Sequence, residues 1–103
     1  MPENPLDPVK VAPKNYKVEF ENPQVRVIRA KYAPHEAGVL HEHMLNRLVV
    51  VLTDEHMKVT TAEGKTAEVT GQPGEMAMGV KAKHREENLS DHPFEVVVVE
   101  FKH

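Results

Sequence analysis

The sequence predicts an all-β fold, a sandwich or a small barrel, on three observations. Short runs of β-branched and aromatic residues recur with turn residues between them, at roughly the 8–12-residue spacing of such folds. No stretch sustains the 3.6-residue apolar period of an amphipathic helix. The chain has 103 residues, 40% hydrophobic and 28% charged, which is one domain with apolar material for one core.

The elements follow in order. Residues 1–14 carry Pro2, Pro5, Pro8 and Pro13. Proline fixes φ and cannot donate to a ladder, so this segment reads as an extended arm, loose or laid across another surface, a partner subunit's among them. Residues 15–103 form the β domain. Tyr16, Val18 and Phe20 alternate with Lys17, Glu19 and Glu21, the pattern of a half-buried strand. Asn22-Pro23 turns the chain, and Val25 to Tyr32 is a second strand that Pro34 ends. Gly38 to His43 can extend. Arg47 to Thr53 is an apolar run suited to burial on both faces. Met57 to Thr61 and Lys65 to Thr70 flank Ala62-Glu63-Gly64, a hairpin with glycine at the left-handed position. Gly71-Gln72-Pro73-Gly74 is a loop. Glu75 to Val80, His84 to Leu89 and Phe94 to Phe101 are the remaining strands.

Composition removes several function classes. There is no cysteine, which excludes disulfides, thiolate zinc sites, iron–sulfur clusters and cysteine nucleophiles. The longest apolar stretch, Leu48 to Leu52, is far below the ~18 residues of a membrane span. Met1 to Pro5 has neither the basic flank nor the apolar segment of a secretory signal, so a cytoplasmic location is expected. A net charge of −3 gives no basic face for nucleic acid. No phosphate-loop or dinucleotide fingerprint is present.

The sharpest local feature is His41-Glu42-His43. On a strand, residues i and i+2 share a face, with Cα atoms about 6.6 Å apart. Two imidazoles at that spacing can converge on one ion at ~2.0–2.1 Å per nitrogen, with Glu42 pointing the other way. A pair of solvent-facing strand residues is the alternative. His84, far down the chain, follows the Pro73-Gly74-Glu75 turn and precedes Asn88 by four positions.

These segments resemble the paired motifs of the cupins. His41-Glu42-His43 followed by Val49-Val50-Val51-Leu52-Thr53-Asp54 is similar to the first motif. Gly74-Glu75-Met76 through His84, Asn88, Leu89 and Ser90, then Phe94 to Glu100, is similar to the second. The resemblance runs from about Tyr16 to Phe101 and implies a single-domain jelly-roll β-barrel. It also implies a divalent metal inside the barrel, held by two first-motif histidines, a glutamate shortly after them, and the second-motif histidine. His41, His43 and His84 match. The glutamate's place falls at Arg47 or Leu48, neither of which ligates a metal. The first-motif glycine falls at His35, and the second-motif proline and glycine at Val80 and Ala82. The expectation is therefore a divergent cupin with a three-histidine centre and its carboxylate lost.

Such a centre suits iron, zinc, nickel, copper or manganese and leaves positions open for a small anionic ligand. Arg47 stands an even number of residues past His43. On a continuous strand it would face the interior and clamp a substrate carboxylate; if residues 44–46 loop out, it is a surface residue instead. Met76 and Met78 alternate on one strand and are expected to line the interior near His84 as substrate contacts. No general base is evident: Glu87 lies three residues from His84, on the opposite face. The function expected is a metal-dependent enzyme, dioxygenase-like or isomerase-like, acting on a small metabolite. The alternatives are a non-catalytic binding barrel and a degenerate cupin without metal. Exposed sheet edges give a physical motive for a homodimer.

Overall fold

The computed structural model describes residues 3–102. One short helix, α1 (Pro8–Val11), precedes nine strands: β1 (Tyr16–Glu21), β2 (Val25–Tyr32), β3 (His41–His43), β4 (Arg47–Val51), β5 (Glu55–Thr61), β6 (Thr66–Gly71), β7 (Met76–Gly79), β8 (Ala82–Asn88) and β9 (Phe94–Phe101). The strands form two antiparallel sheets, one in the order β1-β2-β9-β4-β7 and one in the order β3-β8-β5-β6. This is the expected jelly roll. Among the described residues its ladders form two separate sheets, with no closed barrel. No helix is long and apolar enough to cross a membrane among the described residues.

The centre of the larger sheet follows from period-2 patterning. β2 and β9 pair over eight residues without a slip, and Ile28, Ala30 and Tyr32 lie opposite Val98, Val96 and Phe94. All six are buried, and Met57 from β5 of the facing sheet joins them in one core. A fully buried side chain of this kind stabilises the fold by roughly 1.5–3 kcal/mol. β4 is less enclosed than its apolar run predicts. Leu48, Val49 and Val50 are only half-buried, and Leu48 and Val50 lie on the outer face of this sheet, which no helix covers among the described residues. β4 also stops at Val51, and Leu52 is partly exposed.

Phe20 departs from expectation. The β1–β2 register shifts between Val18 and Phe20. One extra residue reverses the side-chain parity beyond it, so Phe20 leaves the face of Tyr16 and is 57% exposed. The turns behave as their residues dictate: Gly64 and Gly74 hold φ of 90° and 91°.

The N-terminal arm is not extended throughout. Pro8 stands in the first helical turn, where its missing N–H costs nothing, and the Asp7 carboxylate caps that turn by accepting the Val9 N–H at 3.1 Å. The same carboxylate takes both terminal nitrogens of Arg26 at 2.9 Å. The Glu42 N–H donates to the Leu6 carbonyl at 2.8 Å, and Asn4 Nδ2 donates to the Glu42 carbonyl at 2.8 Å. The described arm thus lies along β3 of its own chain.

Candidate metal centre

β3 is only three residues long, and both of its histidines are buried. Pairing with β8 sets His41 directly opposite His84 and His43 opposite Ala82. The three imidazole rings form a nearly equilateral triangle, with centroids 4.9, 5.0 and 5.1 Å apart. The three expected histidines therefore meet, although forty-odd residues of chain separate the two segments that bring them.

A fourth group belongs with them. Glu86 follows His84 by two positions on β8, so it shares the inward face. One donor atom each from His41, His43, His84 and Glu86 lies within 4.8 Å of every other. Glu86 Oε1 stands 3.4 Å from His41 Nε2 and 3.7 Å from His84 Nε2. These separations are close to the roughly 3.0–3.4 Å between neighbouring donors around one ion with bonds of ~2.1 Å. The expected loss of the carboxylate is thereby corrected: a carboxylate is present, supplied from β8 instead of from the segment after β3. The spacing rule that selects His41 and His43 also selects His84 and Glu86 in the sequence. Glu86 lies outside the place the resemblance implies for the acid, which is at Arg47 or Leu48.

The donor chemistry fits a metal. The His41 Nδ1–H donates to the Val39 carbonyl at 3.0 Å, which leaves the Nε2 lone pair facing the cluster. His43 Nδ1 and His84 Nε2 are buried and have no hydrogen-bond partner among the described residues. Such orphans are costly in a native interior and call for a specific occupant. Burial, reinforced by the Arg47 charge, pushes His43 down to about 2. Burial also lowers His84, against the pull of Glu86. Both rings are held neutral, the form that ligates. Burial acts to raise Glu86, but its contact with His41 and the pull of the surrounding imidazoles outweigh burial and hold it at about 2. It is an anion beside the neutral rings of His43 and His84.

Two tyrosines that no sequence motif marks, Tyr16 and Tyr32, complete the wall. Tyr16 Oη–H donates to Glu86 Oε1 at 3.2 Å and also lies 3.4 Å from His41 Nε2. Tyr16 Oη is 2.6 Å from Tyr32 Oη. With the Tyr16 proton committed to Glu86, the Tyr32 hydroxyl is the donor to Tyr16. Burial first, then the Glu86 charge, raises Tyr16 well above its usual range, so its proton stays in place. Gly38 permits this packing: a Cβ there would sit 2.8 Å from Tyr32 Cε1. No local sequence pattern announces these tyrosines, because their meeting depends on the β1–β2 register.

A cavity of about 60 Å³ adjoins the cluster. His43, His84, Glu86 and Glu55 form its polar side, and Ala30, Phe94, Val96 and Val98 its apolar side. Arg47 closes one end. It is buried, it lines the cavity, and its Nη1–H donates to the Val80 carbonyl at 2.8 Å. This settles the two orientations left open by the sequence in favour of the interior. Gly79, its register partner on β7, makes room for it: a Cβ there would sit 2.8 Å from Arg47 Cζ. Among the described residues no carboxylate lies within ion-pair distance of Arg47; Glu86 and Glu100 act on it only from farther away. Burial lowers its affinity for its proton, which those two charges partly restore.

Met76 and Met78 do not line the cavity. They are 66% and 64% exposed, on the outer face opposite Val50 and Leu48. The even-spacing argument correctly put them on one face, but Arg47 and Val49, not Leu48, face inward on β4, and that parity puts both methionines outside.

The arrangement defines a jelly roll with a histidine–carboxylate cluster inside, the class to which cupins belong. Neither a protein-family profile nor a curated protein sequence matches the chain. Solved structures do match. A cupin domain from Bordetella pertussis Tohama I is 25% identical with a TM-score of 0.79, over 85% of this chain and 92% of that one. A protein with a double-stranded β-helix domain from Klebsiella pneumoniae is 19% identical with a TM-score of 0.65, over 82% and 72%. A structure of Fe(II)-HppE with the alternative substrate (S)-1-HPP has a TM-score of 0.65 at 15% identity, over 84% of this chain and 48% of that one. The chain has the cupin fold.

Proposed function

We propose that this protein is a metal-dependent enzyme acting on a small anionic metabolite. His41, His43, His84 and Glu86 would hold one divalent transition metal, with iron, zinc, nickel, copper and manganese all compatible with three imidazoles and one carboxylate. The observation that carries the reading is the pair of buried nitrogens, His43 Nδ1 and His84 Nε2, with no partner inside a cluster of four potential ligands. The iron in the Fe(II)-HppE structure belongs to that protein, and its shared fold adds support.

When bound, the metal would supply a Lewis acid for a carbonyl or enolate oxygen, or a site for dioxygen if it is iron, which is the basis for an isomerase-like or dioxygenase-like reaction. The chain's own residues do the rest. With Glu86 ionised, a divalent site keeps a net charge of about +1, so it still favours an anion. Arg47 brings a buried guanidinium that spends one N–H on the Val80 carbonyl and has no carboxylate partner among the described residues, so it can grip the carboxylate of a ligand. Tyr16 holds its proton on Oη and fixes one oxygen of Glu86. Val96, Val98 and Phe94 keep water from the opposite side. The cavity volume suits a ligand of only a few heavy atoms.

The test is elemental analysis of untagged protein combined with calorimetry against small carboxylates. The expected result is about one metal per chain, near-zero metal in His84→Ala, and full metal in Arg47→Gln. Carboxylate binding by Arg47→Gln should weaken roughly tenfold or more, as the loss of a charge-assisted hydrogen bond predicts. Background metal in the parent protein, or carboxylate binding indifferent to Arg47, would overturn the reading. Carboxylate binding without turnover would leave a non-catalytic binding barrel.

A further inference from the structure

We propose that the ligand of the cavity is a small carboxylic acid whose far end carries a hydrogen-bond donor, a hydroxyl or an ammonium group. Arg47 takes the carboxylate and Glu55 takes the donor, an assignment that rests on the reading of this cavity as a small-anion site.

Of the two acids that line the cavity, Glu86 belongs to the metal centre and Glu55 does not. Glu55 opens β5, and the alternation of that strand puts it on the inward face with the fully buried Met57. Its carboxylate lies over Gly71, its register partner on β6, where a Cβ would sit 2.7 Å from Glu55 Oε1. It is not one of the four groups whose donor atoms crowd within 4.8 Å of one another. It stands apart from them on the wall of the same cavity.

The neighbouring acids are served and Glu55 is not. Glu86 accepts the Tyr16 hydroxyl, and Glu75 accepts the Gln72 N–H at 2.8 Å. Glu55 has no hydrogen bond or ion pair among the described residues. Burial first, then the charges of Glu86 on β8 and Glu75 in the loop before β7, raises it above the usual carboxylate range. A half-buried carboxylate between two like charges is relieved by a donor or a cation and made worse by another anion.

Arg47 is the opposite case at another level of the cavity. It opens β4 across from Gly79, whereas Glu55 follows the turn that leaves β4 at Val51, where the Val51 N–H holds the Glu75 carbonyl. The four residue steps of strand from 47 to 51 rise about 13 Å. Glu55 is not among the charges that act on Arg47, and Arg47 is not among those that act on Glu55. An unpaired cation and an unpaired anion thus line one cavity of about 60 Å³ without satisfying each other. A ligand with a carboxylate at one end and a donor at the other completes both. A dicarboxylate would bring like charge to Glu55, and a plain fatty acid would leave it bare.

Calorimetry on zinc-loaded protein with four three-carbon acids tests the assignment: propionate, 3-hydroxypropionate, 3-aminopropionate and malonate. The parent should bind 3-hydroxypropionate, 3-aminopropionate or both roughly tenfold or more tighter than propionate, the gain of one charge-assisted hydrogen bond. The two acids separate a hydroxyl ligand from an ammonium one. Glu55→Leu should bring both down to the level of propionate and should tighten malonate, which no longer meets a like charge. Glu55→Gln, which keeps the shape and removes the charge, should lower the preference for 3-aminopropionate and tighten malonate in the same way. Arg47→Gln should weaken all four acids alike and leave their ratios in place. Equal binding of propionate and the two donor-bearing acids by the parent would overturn the proposal. So would a preference that survives in Glu55→Leu, which would assign the donor end to the metal. A parent that takes up no zinc would sink the metal reading alone, because the same ratios can then be read on the metal-free protein. Acid binding indifferent to Arg47 would instead sink the small-anion reading.

Discussion

The two sides of the interior obey different rules. On the five-stranded sheet, Ile28, Ala30, Val96 and Val98 face inward, and each is apolar and buried. On the four-stranded sheet, His41, His43, His84 and Glu86 face inward and crowd their donor atoms together. The first side loses free energy when any member is trimmed. The second carries buried polar atoms with no partners, which a fold built for stability alone would replace with aliphatic side chains. The contrast separates what holds this molecule together from what it is built to do.

Substitution should expose the contrast most sharply in the metal-free protein. Ile28, 2% exposed, should cost about 2–5 kcal/mol when changed to alanine, through lost transfer energy and the cavity left behind. His84→Leu should cost little or raise stability, because it removes an unpaired buried nitrogen. Urea unfolding of chelator-treated protein checks both. If His84→Leu lost as much stability as Ile28→Ala, the polar side would be structural and the contrast would disappear.

Acidity should separate the two sides next. The apolar side does not titrate. His43 and His84 are held neutral, below the ~6.5 of an unfolded chain. As pH falls below ~6.5, the unfolded chain takes up protons that the folded chain refuses, so stability falls. The slope approaches about 1.4 kcal/mol per pH unit for each such histidine. For His43 the loss continues down to its own folded value of about 2. Glu86 acts in the same direction at lower pH. Its contribution is complete above the ~4.3 of an unfolded glutamate and is lost as pH drops toward about 2. The metal-free protein should therefore lose stability steadily from pH 7 to pH 5, and His43→Leu should flatten that slope. A flat parent profile across this range would mean that water reaches the rings and that the cluster is not dry.

How much of this was legible follows from the range of each signal. β2 is a β-branched, partly alternating run and β9 a long apolar run, each closed by turn residues, so their bounds can be read from local pattern, and the structure keeps them. His41 and His43 declare themselves because i and i+2 on a strand share a face. Glu86 carries the same signal beside His84 and was legible in principle. Phe20 was not, because a register shift between Val18 and Phe20 reverses its face and no residue type there encodes it. Met76 and Met78 went astray for a related reason. Local spacing fixes which residues share a face but not which face is inside, and only the pairing of β7 with β4 decides that. The arm differs for another reason: its prolines predict an extended segment, yet Asp7 and Pro8 are good residues for starting a helical turn.

Tyr16 gives the smallest and most discriminating test, because it belongs to both sides. Its ring packs in the apolar core, while its hydroxyl donates to Glu86 and accepts from Tyr32. Tyr16→Phe keeps the ring and removes only the hydrogen bonds. A net contribution of about 1 kcal/mol for such bonds predicts a modest loss of stability. The effect on the metal centre should be of another kind. Without the Tyr16 proton, both Glu86 oxygens become free to turn toward the ion, so cobalt substituted into the site should change its visible spectrum as well as its affinity. Outer hydrogen bonds of this type typically change metal affinity by tenfold or more. An unchanged cobalt spectrum and affinity in Tyr16→Phe, with stability reduced all the same, would assign this tyrosine to the core alone. The boundary between the two sides would then run between Tyr16 and Glu86.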